Sequence, residues 1–119
     1  MMLSLSPGYQ YYLHRGVTDF RCGMHSLSGL VRRELGQDPL NGAVYIFFNR
    51  KRTQVKLLHF EGDGFALYQK RLEKGTYEMP SSADEKEIRI SRESLQFILQ
   101  GIRLSGVQRR KRFSLSVSS

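Results

Sequence analysis

The alternation of apolar and polar positions divides the chain into strand-like and helix-like segments. Residues 9–14 (YQYYLH), 43–49 (AVYIFFN), 53–60 (TQVKLLHF) and 64–72 (GFALYQKRL) are rich in aromatic and β-branched side chains, which predicts four strands. The second of these segments is apolar on both faces, so it belongs in the centre of a sheet. A shorter alternation at residues 87–91 (EIRIS) predicts one more strand.

Two further segments have the period of an amphipathic helix. The first covers about residues 20–35 and ends before Gly36 and Asp38-Pro39. The second covers about residues 92–102, and Ser91 can cap its N-terminus. The apolar stripes consist of Met24, Leu27, Leu30, Val31 and Leu35 in the first helix and of Leu95, Ile98, Leu99 and Ile102 in the second.

These elements predict an α+β fold, with a mostly antiparallel sheet of about four to five strands and two helices packed on it. A length of 119 residues suits one domain, which we place at residues 1–102. Residues 103–119 are Ser-rich, basic and without periodicity, so we expect a disordered C-terminal tail.

Turn signals between the strands indicate which ends of the sheet meet. We expect a two-residue loop at Arg50-Lys51 and a short loop at residues 61–63, both as hairpin connections. If Phe60 lies opposite Gly64, the charged loop and the adjoining ends of the two strands that follow it lie together at one end of the sheet. That register places Thr53 opposite Arg71 and Gln54 opposite Lys70, at the same end of the sheet as Arg50, Lys51 and Arg52.

The net charge indicates a polyanionic partner. The chain has 19 Lys and Arg against 11 Asp and Glu, a formal charge of +8. Five of the cations and none of the acids lie in residues 103–119, so the tail carries +5 and the remainder +3. An excess of this size is typical of nucleic-acid binding, and a solvated basic surface with no partner is the alternative.

The contiguous cations at residues 50–52 repel one another, and a bound phosphate backbone would relieve that repulsion. Phosphate contacts position a protein without reading sequence, whereas a two-stranded ribbon can enter the major groove. Asn49 and Gln54 are therefore possible base contacts. The predicted DNA-binding residues are Arg50, Lys51, Arg52, Lys56, Lys70 and Arg71 in the domain and Arg109, Arg110, Lys111 and Arg112 in the tail.

Catalytic and metal-binding patterns are weak. The three histidines are scattered without metal-ligand spacing, and the single cysteine, Cys22, has no flanking motif. Glu61 and Asp63 form the one local carboxylate pair, so a metal-dependent nuclease is an alternative. Turn chemistry explains the Gly-Asp-Gly sequence adequately. We therefore expect no enzyme activity, no cofactor and no metal site.

The chain shows no sign of a membrane or secretory segment. Its longest apolar run, Ala43 to Phe48, has six residues, far short of a membrane span. A single cysteine fits a reducing compartment. We expect a cytoplasmic protein that is nucleoid-associated when bound to DNA.

A set of short motifs is distributed over about residues 9–80. They are DFR at residues 19–21, LSGLV at 27–31, DPLNG at 38–42, FFNRKR at 47–52, KLL at 56–58, EGDGF at 61–65 and YQKRLEKG at 68–75, with Pro80. With these motifs the chain resembles the TnpB-type accessory protein, encoded by the second reading frame, of the bacterial insertion-sequence family sixty-six. Cys22 and His25-Ser26 depart from the family's usual Lys and Asp-Gly, and Phe60 stands where Trp is common.

The resemblance implies a factor that is encoded beside a separate transposase and helps transposition of the element. It supplies no catalytic residues, and DNA is the expected partner. An alternative is a protein-interaction module that docks the transposase without binding DNA. In that alternative the docking surface would be the sheet face with Tyr9, Tyr11, Tyr12 and Tyr68.

Overall fold

A computed structural model describes residues 5–79 and 89–100. The predicted α+β class is confirmed. The predicted polar loop at residues 81–85 and the basic tail lie outside the described residues. The described elements are β1 (Tyr11–Leu13), α1 (Met24–Glu34), β2 (Val44–Phe48), β3 (Gln54–Phe60), β4 (Phe65–Arg71), β5 (Arg89–Ile90) and α2 (Arg92–Gln100).

The strands form one mixed sheet in the order β4-β3-β2-β1-β5. β2 lies at its centre, as predicted, and all five of its residues are buried. β1 and β2 are parallel and α1 connects them, as a crossover between parallel strands requires. The other pairs are antiparallel, so the sheet is mostly antiparallel as expected.

The helices cover opposite faces of the sheet, and each face has its own buried cluster. Alternate residues of the central strands point to opposite faces, which is why strand β2 contributes to both clusters. Beneath α2 lie Tyr11, Leu13, Val44, Ile46, Phe48, Val55, Leu57 and Tyr77 with Leu95 and Ile98; beneath α1 lie Tyr12, Tyr45, Phe47 and Leu58 with Leu27, Val31 and Leu35.

Both helices have boundaries that local chemistry explains. α1 begins at Met24 rather than near residue 20, because Gly23 precedes it in an extended conformation. It ends at Glu34 with Leu35 as its C-cap, and Gly36 follows with a left-handed φ of 63°. The predicted Ser91 cap is confirmed, since the Ser94 backbone N–H donates to the Ser91 hydroxyl over 3.0 Å. Within the described residues, neither helix is long and apolar enough to cross a bilayer.

Two details of the β2–β3–β4 meander differ from the prediction. Phe60 lies opposite Phe65 and Gln54 opposite Arg71, one residue out of the predicted register. The first hairpin does not close with a two-residue loop at Arg50-Lys51: Asn49 donates its backbone N–H to Gln54, and residues 50–53 form the loop. Neither change moves the cations, which stay at the same end of the sheet.

Candidate nucleic-acid interface

The loop between β2 and β3 is organised by the side chain of Asn49. Its Oδ1 accepts the backbone N–H groups of Thr53 and Gln54 at 2.9 and 3.0 Å, and its Nδ2 donates to the Thr53 hydroxyl. The backbone N–H of Arg52 also donates to the Asn49 carbonyl. A short polar side chain at the end of a strand therefore fixes a turn that carries three cations.

The same loop is held from the other side by the chain that follows β4. The backbone N–H of Leu72 donates to the Thr53 carbonyl over 2.8 Å, and that of Tyr77 donates to the Arg52 carbonyl over 2.7 Å. The Tyr77 ring is fully buried and lies 5.5 Å from that of Phe48. The turn is thus fixed before any ligand arrives, which lowers the entropic cost of binding.

The exposed cations at this end of the sheet form what we call the basic tip. Residues directly opposite in an antiparallel pair share a face. Arg71 is opposite Gln54 and points to the α1 face, whereas Lys70 is opposite Val55 and points to the α2 face. The basic tip consists of Arg50, Lys51, Arg52, Lys70 and Arg71, all of which are exposed.

The expectation that Lys56 belongs to this surface is corrected by the structure. Lys56 is only 5% exposed. Its ammonium donates to the carbonyl oxygens of Phe20 at 2.9 Å and Cys22 at 3.0 Å, and it lies 4.8 Å from the centre of the Phe20 ring. These partners satisfy a buried cation that would otherwise be costly, so Lys56 holds the residue 20–22 backbone against the sheet.

The two proposed base contacts occupy different environments. The Asn49 side chain makes three hydrogen bonds that close the turn. Asn49 is therefore a structural cap rather than an outward-facing amide. Gln54 is half-buried on the α1 face, and its Oε1 accepts the Gln69 side-chain amide over 3.1 Å.

An open groove separates the basic tip from the loop that follows β1. It has a volume of about 830 Å³ and is lined by residues 17–21 on one side and by Asn49, Arg50, Lys51 and Gln54 on the other. The Thr18 backbone N–H donates to the Phe48 carbonyl, which attaches this loop to the end of β2. The groove therefore has two fixed walls.

The wall opposite the tip presents an oriented arginine. Arg21 Nε lies 3.1 Å from both carboxylate oxygens of Asp19, and its Nη2 lies 2.7 Å from Oδ2. The Arg21 backbone N–H also donates to Asp19 Oδ1 over 3.0 Å. These hydrogen bonds favour the charged form of the carboxylate and lower the pKa of Asp19 to about 2.

The residues assigned to the two alternative functions, transposase docking and metal-dependent cleavage, do not belong to the basic tip. Tyr11 and Tyr12 are buried, at 2% and 9% exposure, so they are not available for docking a transposase. Tyr9 and Tyr68 pack at the edge of the α2-face core. Glu61 and Asp63 are exposed in the β3–β4 turn, at the opposite end of β3 from the basic tip.

Searched over residues 5–79 and 89–100, the structure has no group of three or more His, Cys, Asp or Glu side chains arranged to hold a metal ion. The tail cations Arg109, Arg110, Lys111 and Arg112 lie outside these ranges. Their assignment to DNA binding remains a prediction.

Sequence reasoning did not assign a role to Arg21 or to its loop. The sequence feature that could have indicated this loop is the two-residue spacing of Asp19 and Arg21. An Asp can accept the backbone N–H two residues later, and here it also accepts hydrogen bonds from the side chain of that residue. The spacing alone does not say that the loop faces the basic tip, because that depends on the Lys56 anchor.

Comparison with known proteins identifies relatives that cover most of the chain. The family described as IS66 Orf2 like protein matches residues 9–109, which extends beyond the resemblance at residues 9–80. Uncharacterized protein y4hO of Sinorhizobium fredii is 35% identical over 101 residues, covering 85% of this chain and 87% of that protein. Uncharacterized protein y4jC of the same organism is 28% identical over 109 residues, covering 92% of each. No solved structure matches this chain significantly.

Proposed function

This chain belongs to the IS66 Orf2-like family of insertion-sequence accessory proteins, and from that premise we propose that it assists transposition as a non-catalytic factor that binds duplex DNA. The basic tip contacts phosphates, and the groove beside it receives part of the duplex. The tail cations Arg109, Arg110, Lys111 and Arg112 add affinity without fixing the orientation of the duplex.

The observation that carries this proposal is the concentration of exposed cations on a turn that is already fixed. Arg50, Lys51 and Arg52 come from one loop, and the β3–β4 register brings Lys70 and Arg71 to the same end. Close like charges are unfavourable in the free protein, and phosphate neutralises them. Structural roles do not explain these five cations, in contrast to Lys56.

The test is fluorescence anisotropy of a labelled duplex across a series of salt concentrations. Five phosphates neutralised by the basic tip contribute about −4.5 to the slope in a plot of log K against log salt concentration, and any phosphate contacts of the tail add to it. Substitution of Arg50, Lys51 and Arg71 by Gln should make the slope shallower by nearly 3, at about 0.9 per lost contact. The control replaces Arg32 and Arg33 by Gln, two exposed cations in the last turn of α1, and should leave the slope unchanged.

The same experiment also tests the alternative function, in which the protein docks the transposase without binding DNA. A slope near zero, or no binding to any duplex at low salt, would contradict DNA binding. The transposase of the same element would then be the partner to test, by co-purification in the presence of added nuclease. A complex that survives nuclease and depends on the basic tip would show that these cations meet acidic protein instead.

A further inference from the structure

We propose that Arg21 reads a guanine base in the duplex that the groove receives, and that Asp19 is the residue that positions it. This inference rests on the proposed function and adds sequence recognition to it. Arg21 would donate to O6 and N7 of guanine in the major groove, the commonest specific arginine contact.

The first argument is that Arg21 is exposed yet held in one orientation. Its side chain is 92% exposed, but Nε and Nη2 both contact the Asp19 carboxylate. That contact occupies one edge of the guanidinium. The N–H groups of Nη1 and the remaining N–H of Nη2 lie on the outer edge, where they form the parallel pair of donors that a bidentate contact needs.

The second argument is that the loop carrying Arg21 is fixed to the sheet. The Lys56 ammonium holds the carbonyls on both sides of Arg21, those of Phe20 and Cys22. The Cys22 backbone N–H donates to the Asp19 carbonyl over 3.0 Å. An arginine that is fixed at both its backbone and its side chain loses little entropy when it binds a base.

The third argument concerns the kind of acceptor that Arg21 suits. The Asp19 carboxylate offsets the charge of Arg21 and would repel a phosphate placed beside it. The pair therefore keeps the donor geometry of an arginine but lacks a net attraction for anions. That combination suits a neutral acceptor such as a base edge, whereas Arg50 and Lys51 across the groove suit phosphates.

The test is selection of bound duplexes from a random pool, followed by sequencing, for the full-length wild type and two variants. The wild type should enrich guanine at one position by about 5- to 100-fold, as expected for a bidentate contact. The double variant Asp19→Asn, Arg21→Gln removes one charge of each sign and the cationic donors, so it should lose this enrichment and keep its affinity for unselected DNA. Arg32→Gln, an exposed control outside the groove lining, should keep both.

Two further measurements separate base reading from a structural role. Replacing the selected guanine by 7-deazaguanine removes N7, so it should weaken wild-type binding and leave the double variant Asp19→Asn, Arg21→Gln unaffected. Asp19→Asn removes a negative charge from the groove. It should lower the preference for guanine. It should also raise the affinity for unselected duplex, because less negative charge repels the phosphates.

The outcomes distinguish this inference from the proposed function. Salt-dependent binding with no guanine enrichment, or with enrichment that survives in the double variant Asp19→Asn, Arg21→Gln, would overturn the role of Arg21 and leave DNA binding intact. Insensitivity of the wild type to 7-deazaguanine would overturn it as well. Failure to bind any duplex would overturn both proposals.

Discussion

The ammonium of Lys56 donates a 3.0 Å hydrogen bond to the carbonyl oxygen of Cys22, a residue 34 positions earlier in the chain. This contact joins β3 to the loop that forms one wall of the groove. Sequence alone predicts Lys56 as a phosphate contact, but its side chain instead holds the backbone of residues 20–22 against the sheet. The distinction has measurable consequences.

Substitution Lys56→Met should lower the free energy of unfolding by about 1–3 kcal/mol, because two carbonyl groups lose a charged donor while the aliphatic volume is retained. Urea denaturation measures this change. DNA affinity should fall as the residue 20–22 loop loosens, but the salt slope should stay the same because Lys56 contacts no phosphate. A slope shallower by about 0.9, with unchanged stability, would show that Lys56 contacts phosphate after all.

Asn49→Ala should destabilise the protein by about 1–2 kcal/mol and also weaken DNA binding, because the turn that presents the basic tip loses its cap. Asn41→Ala is the matched control at the other end of β2, where Asn41 Oδ1 accepts the Ala43 N–H and the Tyr45 hydroxyl. It should cost similar stability and leave DNA affinity unchanged under conditions where both variants are folded. Equal effects of the two variants on affinity would argue against the tip as the interface.

Arg52 has a left-handed φ of 57°, a conformation that costs a non-glycine residue about 1–2 kcal/mol. Arg52→Gly should therefore leave stability unchanged or raise it by up to about 1 kcal/mol, since greater freedom of the unfolded chain offsets part of the gain. DNA affinity should nevertheless fall and the salt slope become shallower by about 0.9. Thermal unfolding and anisotropy measure the two effects.

Arg52→Ala removes the same charge but keeps the Cβ, so it should lose affinity without gaining stability. If Arg52→Gly bound DNA as tightly as the wild type, the strained arginine would have no role in binding, and the basic tip would be smaller than proposed.

The Asp19–Arg21 contact should appear in the titration of Asp19. Its pKa is lowered from the usual 3.8 to about 2, first of all by the Arg21 side-chain hydrogen bonds. A lowered folded-state pKa contributes stability above about pH 4, and this contribution is lost as the pH falls through 2. Carboxyl-detected NMR should find the pKa of Asp19 moved back toward 3.8 in Arg21→Gln. An unchanged pKa would show that Arg21 is not held in this orientation.

Local sequence patterns predicted most of the fold because the residues of each element favour the conformation that the element adopts. The doubly apolar β2 lies at the sheet centre. The Ser91 cap and the Leu95–Ile98 spacing agree with α2 over Arg92–Gln100, whereas the predicted end of this helix near Ile102 lies outside the described residues. The parallel pairing of β1 with β2 was not specified, although a strand, helix and strand in succession are compatible with it.

The details that sequence could not supply depend on contacts between distant residues. The hairpin register and loop length follow from the Asn49 cap and from the anchors at Leu72 and Tyr77. Lys56 resembles a surface cation in sequence, and only its partners 34 and 36 residues away bury it. The groove itself arises because those same contacts bring the Arg21 loop to the tip.

The most direct test of the central claim is to map the bound duplex on the protein by NMR. Titration of uniformly labelled full-length protein with a 15-base-pair duplex should shift the backbone amides of residues 17–21 and 49–54 most strongly, together with those of Lys70 and Arg71. The amides of the β3–β4 turn at residues 61–64 provide an internal control and should shift little. Shifts confined to residues 103–119, or centred on the β3–β4 turn, would contradict the account.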